Sequence, residues 1–583
     1  MSPPRSRLGR AVGLATLCLL PVQPLLAQSG GAGAQLQRYQ QEAPAPAARP
    51  EGARLPLPPS PSAPAIAASD ATVPVKGFDV HGVTQLDAAT LNRILSPFTG
   101  RALSTADIHA AANALMAHYR AQGFFAAKVF VPPHPVTDGV IRLDVYEGFL
   151  AENGIELELR GERVRADVVA DILATHLPTT RPMHRADYER ALLLAEDLPG
   201  ATIHSILYPG AEVGTAHLRV RLDNEPGFAG NVDVDNFGNV HTGRVRLGTT
   251  LYLNSPTGAG DQLIGRAVAS GSDTLYGYLD YLRPVSPRGT RLGANVAHFR
   301  YQLDTIAGVD QGEGEATEFR LYATHPLVRS RHHNLHLRAS VGRLSVDDRS
   351  TGDLDAARTI DLATIGIGGD ADHDGWANGL TLFEASLSVG RLSLDGDAAF
   401  EAFDRANART DGRFARGNLM LSRLQHIAGP VSLYGRLTGQ WAGKNLDSAQ
   451  KFYLGGPENN AGYPIGEAAG DEGLALHLEV RHHLEAPPWG GALQSGLFVQ
   501  QGWIRLHHTP WDGWQGSNPL IENEFSQESV GFSLTQTWPG QWVVRGLIGW
   551  QLGDNPLRAP DTDQASDGSD AAYRGWIQAV HYF

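Results

Sequence analysis

The chain has 583 residues, a formal net charge of −14 and one cysteine, Cys18. That length leaves room for several domains, and the acidic balance argues against wholesale nucleic-acid binding. Cys18 falls in a leader-like stretch, so the mature chain has no thiol for disulfides, thiolate metal sites or a cysteine nucleophile.

Residues 1–27 read as a secretory signal. Arg5, Arg7 and Arg10 precede the apolar run Ala11–Leu20, and Leu25-Leu26-Ala27 supplies a cleavage site. Losing three arginines takes the charge from −14 to −17. No later segment is apolar for the roughly 18 residues that a spanning helix needs. Residues 28–43 hold a short polar helix candidate, Ala34–Glu42. Residues 44–74 are rich in Ala and Pro, which makes an extended, semi-rigid tether.

Residues 75–150 read strand, helix, helix, strand, strand. Val75–His81 is the first strand and Asp87–Leu95 a short helix. A second helix opens at Ser104 with Asp107 three residues on, as in a capping box. Ile108, Ala111, Leu115 and Tyr119 stripe one face of it, and Gly123 stops it. Phe125–Val131 and Val140–Tyr146 are strands. Residues 151–225 repeat that order at about the same length: Ile155–Arg160, Val164–His176, His184–Leu198, Ile203–Tyr208 and His217–Leu222. A βααββ unit is too small for a deep catalytic cleft, so a docking module is the better reading.

From residue 226 to 583 no helical period survives. Runs of about ten residues alternate apolar and polar rows, as in Val245, Leu247, Leu251 and Leu253 against Arg244, Arg246, Thr250 and Tyr252. A polar row this rich in Arg and Glu, over so long a segment, fits a transmembrane barrel with lipid outside and water or a polar plug within. Sixteen strands are expected, starting near Phe228, Arg244, Asp261, Thr274, Thr290, Ala316, His333, Ala356, Trp376, Gly412, Pro430, Asp471, Gly491, Phe525, Gln541 and Ala571. Long gaps gather at one end of the strands and tight turns at the other, as in outer-membrane barrels. An even count puts both chain ends on the periplasmic side. The longest gap, residues 444–470, is rich in Gly, Asn and Pro and lies between two well-alternating strands, which marks an ordered functional insertion.

Other constellations fail. Asp370-Ala371-Asp372-His373-Asp374-Gly375 imitates the start of a calcium loop, but Thr381 stands where the closing glutamate belongs. Adjacent histidines such as His332-His333 and His482-His483 point to opposite faces of a strand and chelate poorly. No Gly-x-Ser-x-Gly elbow and no phosphate-binding Gly-x-x-x-x-Gly-Lys-Ser/Thr loop occurs. The expectation is a non-enzyme without cofactor or metal, and transport of any kind must draw its driving force from the cargo.

Several motifs together resemble the outer-membrane transporters of two-partner secretion, the TpsB group of the POTRA-plus-barrel superfamily. Tyr119-Arg120-Ala121-Gln122-Gly123-Phe124 with Val131-Pro132-Pro133 looks like that family's first POTRA domain. Asp235-Asn236-Phe237-Gly238 matches its first barrel strand, and His325-Pro326-Leu327-Val328-Arg329-Ser330-Arg331 its Pro-Leu-x-Arg-Ser-Arg turn. Leu454-Gly455-Gly456-Pro457, Tyr463-Pro464 and Gly470-Asp471-Glu472-Gly473 frame its sixth extracellular loop. The resemblance implies two POTRA domains (75–150 and 151–225), a plug helix in the pore and a 16-stranded barrel (226–583) in the outer membrane of a Gram-negative bacterium. It also implies an unfolded TpsA-type exoprotein as cargo, haemolysin- or adhesin-like, contact with outer-membrane lipid, and recognition of the C-terminal strand by the barrel-assembly machinery. A barrel-assembly factor and a passive pore are the alternatives; the helix with its tether favours secretion.

The loop tip departs from the family. Where it has Val-Arg-Gly-Tyr or Val-Arg-Ala-Tyr, this chain has Asn460-Ala461-Gly462-Tyr463, so the arginine is Ala461. Its aspartate partner in a Phe-x-Asp-x-Gly strand motif is Gln500, within Phe498-Val499-Gln500-Gln501-Gly502. Losing both members avoids the cost, roughly 3–5 kcal/mol, of one buried charge left alone. The expectation is a loop held by Gln500 hydrogen bonds and Tyr463 packing. Cargo would add as a strand to the Phe125–Val131 edge beside Ile108, Leu115, Tyr119, Arg120, Phe124 and Phe125. Arg244, Arg246, Arg320, Arg338, Arg436 and Arg481 would line the lumen, either solvating the cargo or pairing with lumenal acids.

Overall fold

A computed structural model describes residues 31–41, 72–136, 138–271, 274–302, 312–349, 356–373, 378–396, 398–485, 487–515, 519–560 and 562–583. The expected signal segment and most of the tether lie outside these residues.

The first unit is built from Gly77–His81, Ala88–Leu95, Thr105–Ala121, Lys128–Phe130 and Val140–Tyr146, with a small extra ladder, Thr72–Val75 against Arg101–Ser104. The capping box forms: Ser104 Oγ accepts from Asp107 N at 3.2 Å, and Asp107 Oδ2 accepts from Ser104 N at 2.9 Å. Val140–Tyr146 is the central strand, parallel to Gly77–His81 and antiparallel to Lys128–Phe130. The second unit repeats this topology. Thr215–Asn224 is central, parallel to Phe149–Leu159 and antiparallel to Ala201–Pro209, with Ala166–His176 and Arg185–Glu196 packed on the sheet.

The remainder is a closed barrel of sixteen strands, from Phe228–Asp235 to Tyr573–Tyr582, joined in sequence order and sealed by pairing of the last strand with the first. Every observed strand starts within three residues of its expected position. Alternation decides which side faces in: Val245 and Leu247 are 62 % and 58 % exposed, whereas Arg246 is 3 % exposed. The apolar row therefore faces outward and the polar row inward, the reverse of a soluble protein. One helix, Ala398–Ala406, interrupts the expectation of none in this region. It lies in the loop between Gly379–Leu394 and Gly412–Ala428, where its single amphipathic turn or two escapes a strand-period reading.

Helix α1 (Ala32–Gln41) lies inside the barrel with all its described side chains buried. Leu36 and Tyr39 join a lumenal cluster with Tyr276, Phe299, Leu344 and Val346.

The second unit is bonded to three of the tight turns. Arg165 N donates to Gly258 O at 2.9 Å. Arg190 donates to Pro326 O at 2.7 Å, to Leu327 O at 3.3 Å and to Arg288 O at 3.4 Å. Arg329 grips Asp197 through two bonds of 2.8 Å. The tight turns and the second unit thus share one side of the barrel, the periplasmic one by the loop-length rule.

Candidate functional site: the occupied lumen

The sixth loop leaves the wall after Ala442, enters the bore and returns at Glu472. A short ladder, Phe452–Leu454 against Ala468–Gly470, forms its neck. Asp471 ties the neck down: its carboxylate accepts from Leu446 N at 3.0 Å and His508 N at 2.8 Å and faces Lys451 Nζ at 3.3 Å. Gly473 lies under the Phe452 ring and Gly502 under the Leu454 side chain, both too close for a Cβ. Gly455 and Gly456 turn the chain with φ of 102° and 91°.

The tip spans four consecutive wall strands. Asn460 Nδ2 donates to Gln527 O at 3.0 Å. Ala461 N donates to Gln500 Oε1 at 2.7 Å, and Ala461 O accepts from Trp576 Nε1 at 2.8 Å. Gly462 O accepts from Arg574 Nη1 at 2.8 Å and Gln551 Nε2 at 3.0 Å. Ala461, Phe498, Ile465, Phe237 and Trp576 form one apolar cluster, and Tyr463 and Pro464 are buried beside it. Ala461 thus puts a methyl group in an apolar niche, and its backbone N–H and C=O make the bonds to the wall. Gln500 supplies the acceptor that an aspartate would, without a charge to neutralise.

A charge pair persists elsewhere. Glu458, three residues before Ala461, meets Arg545 Nη1 at 2.5 Å and Arg436 Nη1 at 3.3 Å. The acid is on the loop and the bases are on the wall. Sequence reasoning missed Glu458 and Arg545; a lone acid in a Gly/Asn-rich tip facing arginine-bearing strands was the available signal.

Among the expected lumenal arginines, Arg246 pairs with Asp235 at 2.8 Å, Arg320 with Glu318, and Arg481 with Glu479 at 2.6 Å. Arg338 stacks on Tyr322 at 4.6 Å. These side chains are matched to partners in the wall rather than presented to a passing chain. Arg244 is a correction: it precedes the strand Arg246–Asn254 and is exposed, because the turn after Asp235 is longer than expected.

The docking set needs correction too. Leu115 and Tyr119 are core residues with no accessible surface, since the stripe that patterns a helix is the stripe it buries. Tyr119 donates to Glu147 at 2.8 Å, which also accepts from Thr84 N and Gln85 N; burial and that carboxylate hold its phenol well above the usual range. Phe124 and Phe125 fill the joint with the second unit, with ring centroids 5.4 Å from His184 and 5.3 Å from Tyr188. Gly123 closes the joint: at φ 95° it accepts from Arg185 N at 2.8 Å, and a Cβ there would strike His184. Ile108 and Arg120 remain half-buried. The edge strand exists but spans only Lys128–Phe130, with Phe130 exposed and prolines 132 and 133 ending it. Among the described residues no cluster of three or more metal-ligating side chains occurs.

Residues 73–148 match the ShlB-type POTRA domain, and residues 214–517 match the haemolysin secretion/activation protein family ShlB/FhaC/HecB. The heme/hemopexin transporter protein HuxB of Haemophilus influenzae is 26 % identical over 473 residues, covering 80 % of this chain and 81 % of HuxB. The outer membrane transporter CdiB of Escherichia coli is 22 % identical over 473 residues, covering 74 % and 72 %. The solved structure of CdiB from Escherichia coli superposes with a TM-score of 0.70 at 18 % identity, covering 91 % of this chain and 94 % of that one. With a POTRA domain, a lumenal N-terminal helix and a closed sixteen-stranded barrel whose sixth loop fills the bore, the chain belongs to the haemolysin secretion/activation protein family ShlB/FhaC/HecB, the two-partner secretion transporters of the outer membrane.

Proposed function

We propose that this chain captures one unfolded TpsA-type exoprotein in the periplasm through its POTRA units and passes it through the barrel without nucleotide hydrolysis. The observation that carries the reading is the filling of the bore by two elements, α1 and the sixth loop, packed against each other and against the wall. A passive pore has no need of either. Capture takes place by strand addition at Lys128–Phe130, where main-chain bonds give affinity with little demand on cargo sequence and exposed Phe130 offers an apolar contact. Helix α1 then leaves the lumen, the sixth loop stays as a fixed lining, and folding of the cargo outside makes passage one-way.

A photo-crosslinking residue at Phe130 tests capture. The expected result is an adduct with a secreted polypeptide while export is under way. Full export by a chain lacking residues 75–148, with the barrel normally inserted, would overturn it.

A further inference from the structure

The outer wall carries a charged row that neither the lumen nor the POTRA units use. Arg343, Asp361, Arg391 and Arg413 lie on four adjacent strands, each directly opposite the next. All four are exposed and share the outward parity of Val341, Ile365, Leu387 and Val389, which are also exposed. Arg343 and Asp361 satisfy each other through bonds of 2.6 and 2.9 Å. Arg391 and Arg413 make no hydrogen bond or ion pair with any described residue. Lys444 borders the same furrow, and its ammonium donates to the carbonyls of Thr410 and Asp411 at 3.1 and 2.7 Å. Arg343, Arg391, Arg413 and Lys444 thus lie near two carboxylates, Asp361 and Asp395, and Arg391 and Arg413 stand side by side where like charges repel.

The next outward row away from the loops is Val341, Ala363, Val389 and Ala415, also directly paired. Asp361, Arg391 and Arg413 together with this second row line an open furrow on the outside of the barrel. Arg391 lies three residues before the end of its strand and Arg413 one residue after the start of the next, at the loop end of the wall. That end is opposite the second unit, so it faces the outer leaflet. A matching occupant has an anionic head at the arginines and hydrocarbon against the valines. Paired guanidinium forks suit phosphate oxygens better than a single carboxylate.

We infer that this furrow holds a phosphorylated lipid of the outer leaflet, with its headgroup phosphate bridging Arg391 and Arg413 and its acyl chains over Val389 and Ala363. The inference rests on the outward face being the lipid face and is independent of the cargo.

The test is native mass spectrometry of the full chain in neutral detergent, titrated with bis-phosphorylated lipid A. The wild type is expected to retain one lipid A adduct and to bind neutral phosphatidylcholine no better than background. Arg391→Gln with Arg413→Gln is expected to weaken retention about fivefold or more, while still migrating as a folded barrel without heating. Arg300→Gln, which removes an exposed arginine elsewhere on the wall, should leave retention unchanged. Undiminished retention by the double variant would overturn the inference, as would an equal loss in Arg300→Gln. Displacement by inorganic phosphate as effective as that by lipid A would also overturn it, showing a free-anion site instead.

Discussion

Helix α1 and the sixth loop share one bore, yet they are held in opposite ways. The loop is fastened through its backbone to three strands and through the Asn460 side chain to a fourth, and the wall is cut to fit it: Gly549 has no room for a Cβ, which would lie 2.5 Å from Ala461 C. The helix is held mainly by side chains. Ala32 N donates to Asp348 at 2.8 Å and Gln40 to Glu318 at 2.9 Å, and Tyr39 stacks on Tyr276 and lies tilted against Phe299. The buried side-chain amide oxygens of Gln35 and Gln37 bond no described residue. Buried polar groups without partners cost free energy, so the helix is seated less firmly than its burial suggests. One element is built into the wall, and the other is lodged against it.

That contrast can be broken from either side. The largest effect is expected from Tyr39→Ala, since truncating a buried aromatic costs roughly 3 kcal/mol or more. The pore should conduct in planar bilayers far more often, while the temperature of heat-modified migration stays that of the wild type; a drop in that temperature would mean that the helix belongs to the fold. Gly549→Val comes next. Overpacking costs about 1–3 kcal/mol, and it falls on the loop alone: export per folded barrel should decline, and the tip should become open to protease while α1 stays seated.

Glu458→Gln is a smaller step, because Glu458 and its arginines are each about a third exposed to lumenal water and such pairs are worth about 1 kcal/mol. Combining Glu458→Arg with Arg545→Glu should recover most of the loss, and no recovery would assign the loop's hold to its backbone alone. The smallest net change is expected from Ala461→Arg with Gln500→Asp. The arginine alone overfills the niche of Phe237, Phe498 and Trp576, and the aspartate returns a partner to it. Export above that of Ala461→Arg alone, and near wild type, is the expected result.

The barrel was legible because its code is local. A period of two, an apolar row and a turn signal every few residues fix strand starts such as Phe228, Thr274 and Gly412 without reference to any partner. The capping box at Ser104 is equally local. What failed was non-local. Phe124 and Phe125 look like an exposed docking pair beside an amphipathic helix, but His184 and Tyr188, some sixty residues on, cover them. Arg190 reaches carbonyls more than 130 residues away, and an exposed-seeming helix arginine does not announce that. Ala461 and Gln500, expected to be partners, do meet through the bond from Ala461 N to Gln500 Oε1. The Glu458–Arg545 contact escaped because a loop without period gives no clue to which wall strand it will meet.

The join between α1 and the first unit has one more consequence. Thirty residues, 42–71, separate Gln41 from Thr72. Fully stretched they reach at most about 100 Å, several times the height of the apolar band of such a barrel, about 25 Å. A helix withdrawn on that leash is never lost to the periplasm. If α1 leaves the lumen as proposed, it stays at a high effective concentration near the mouth, and its return is an intramolecular event whose rate depends on leash length and not on how many transporters the membrane holds.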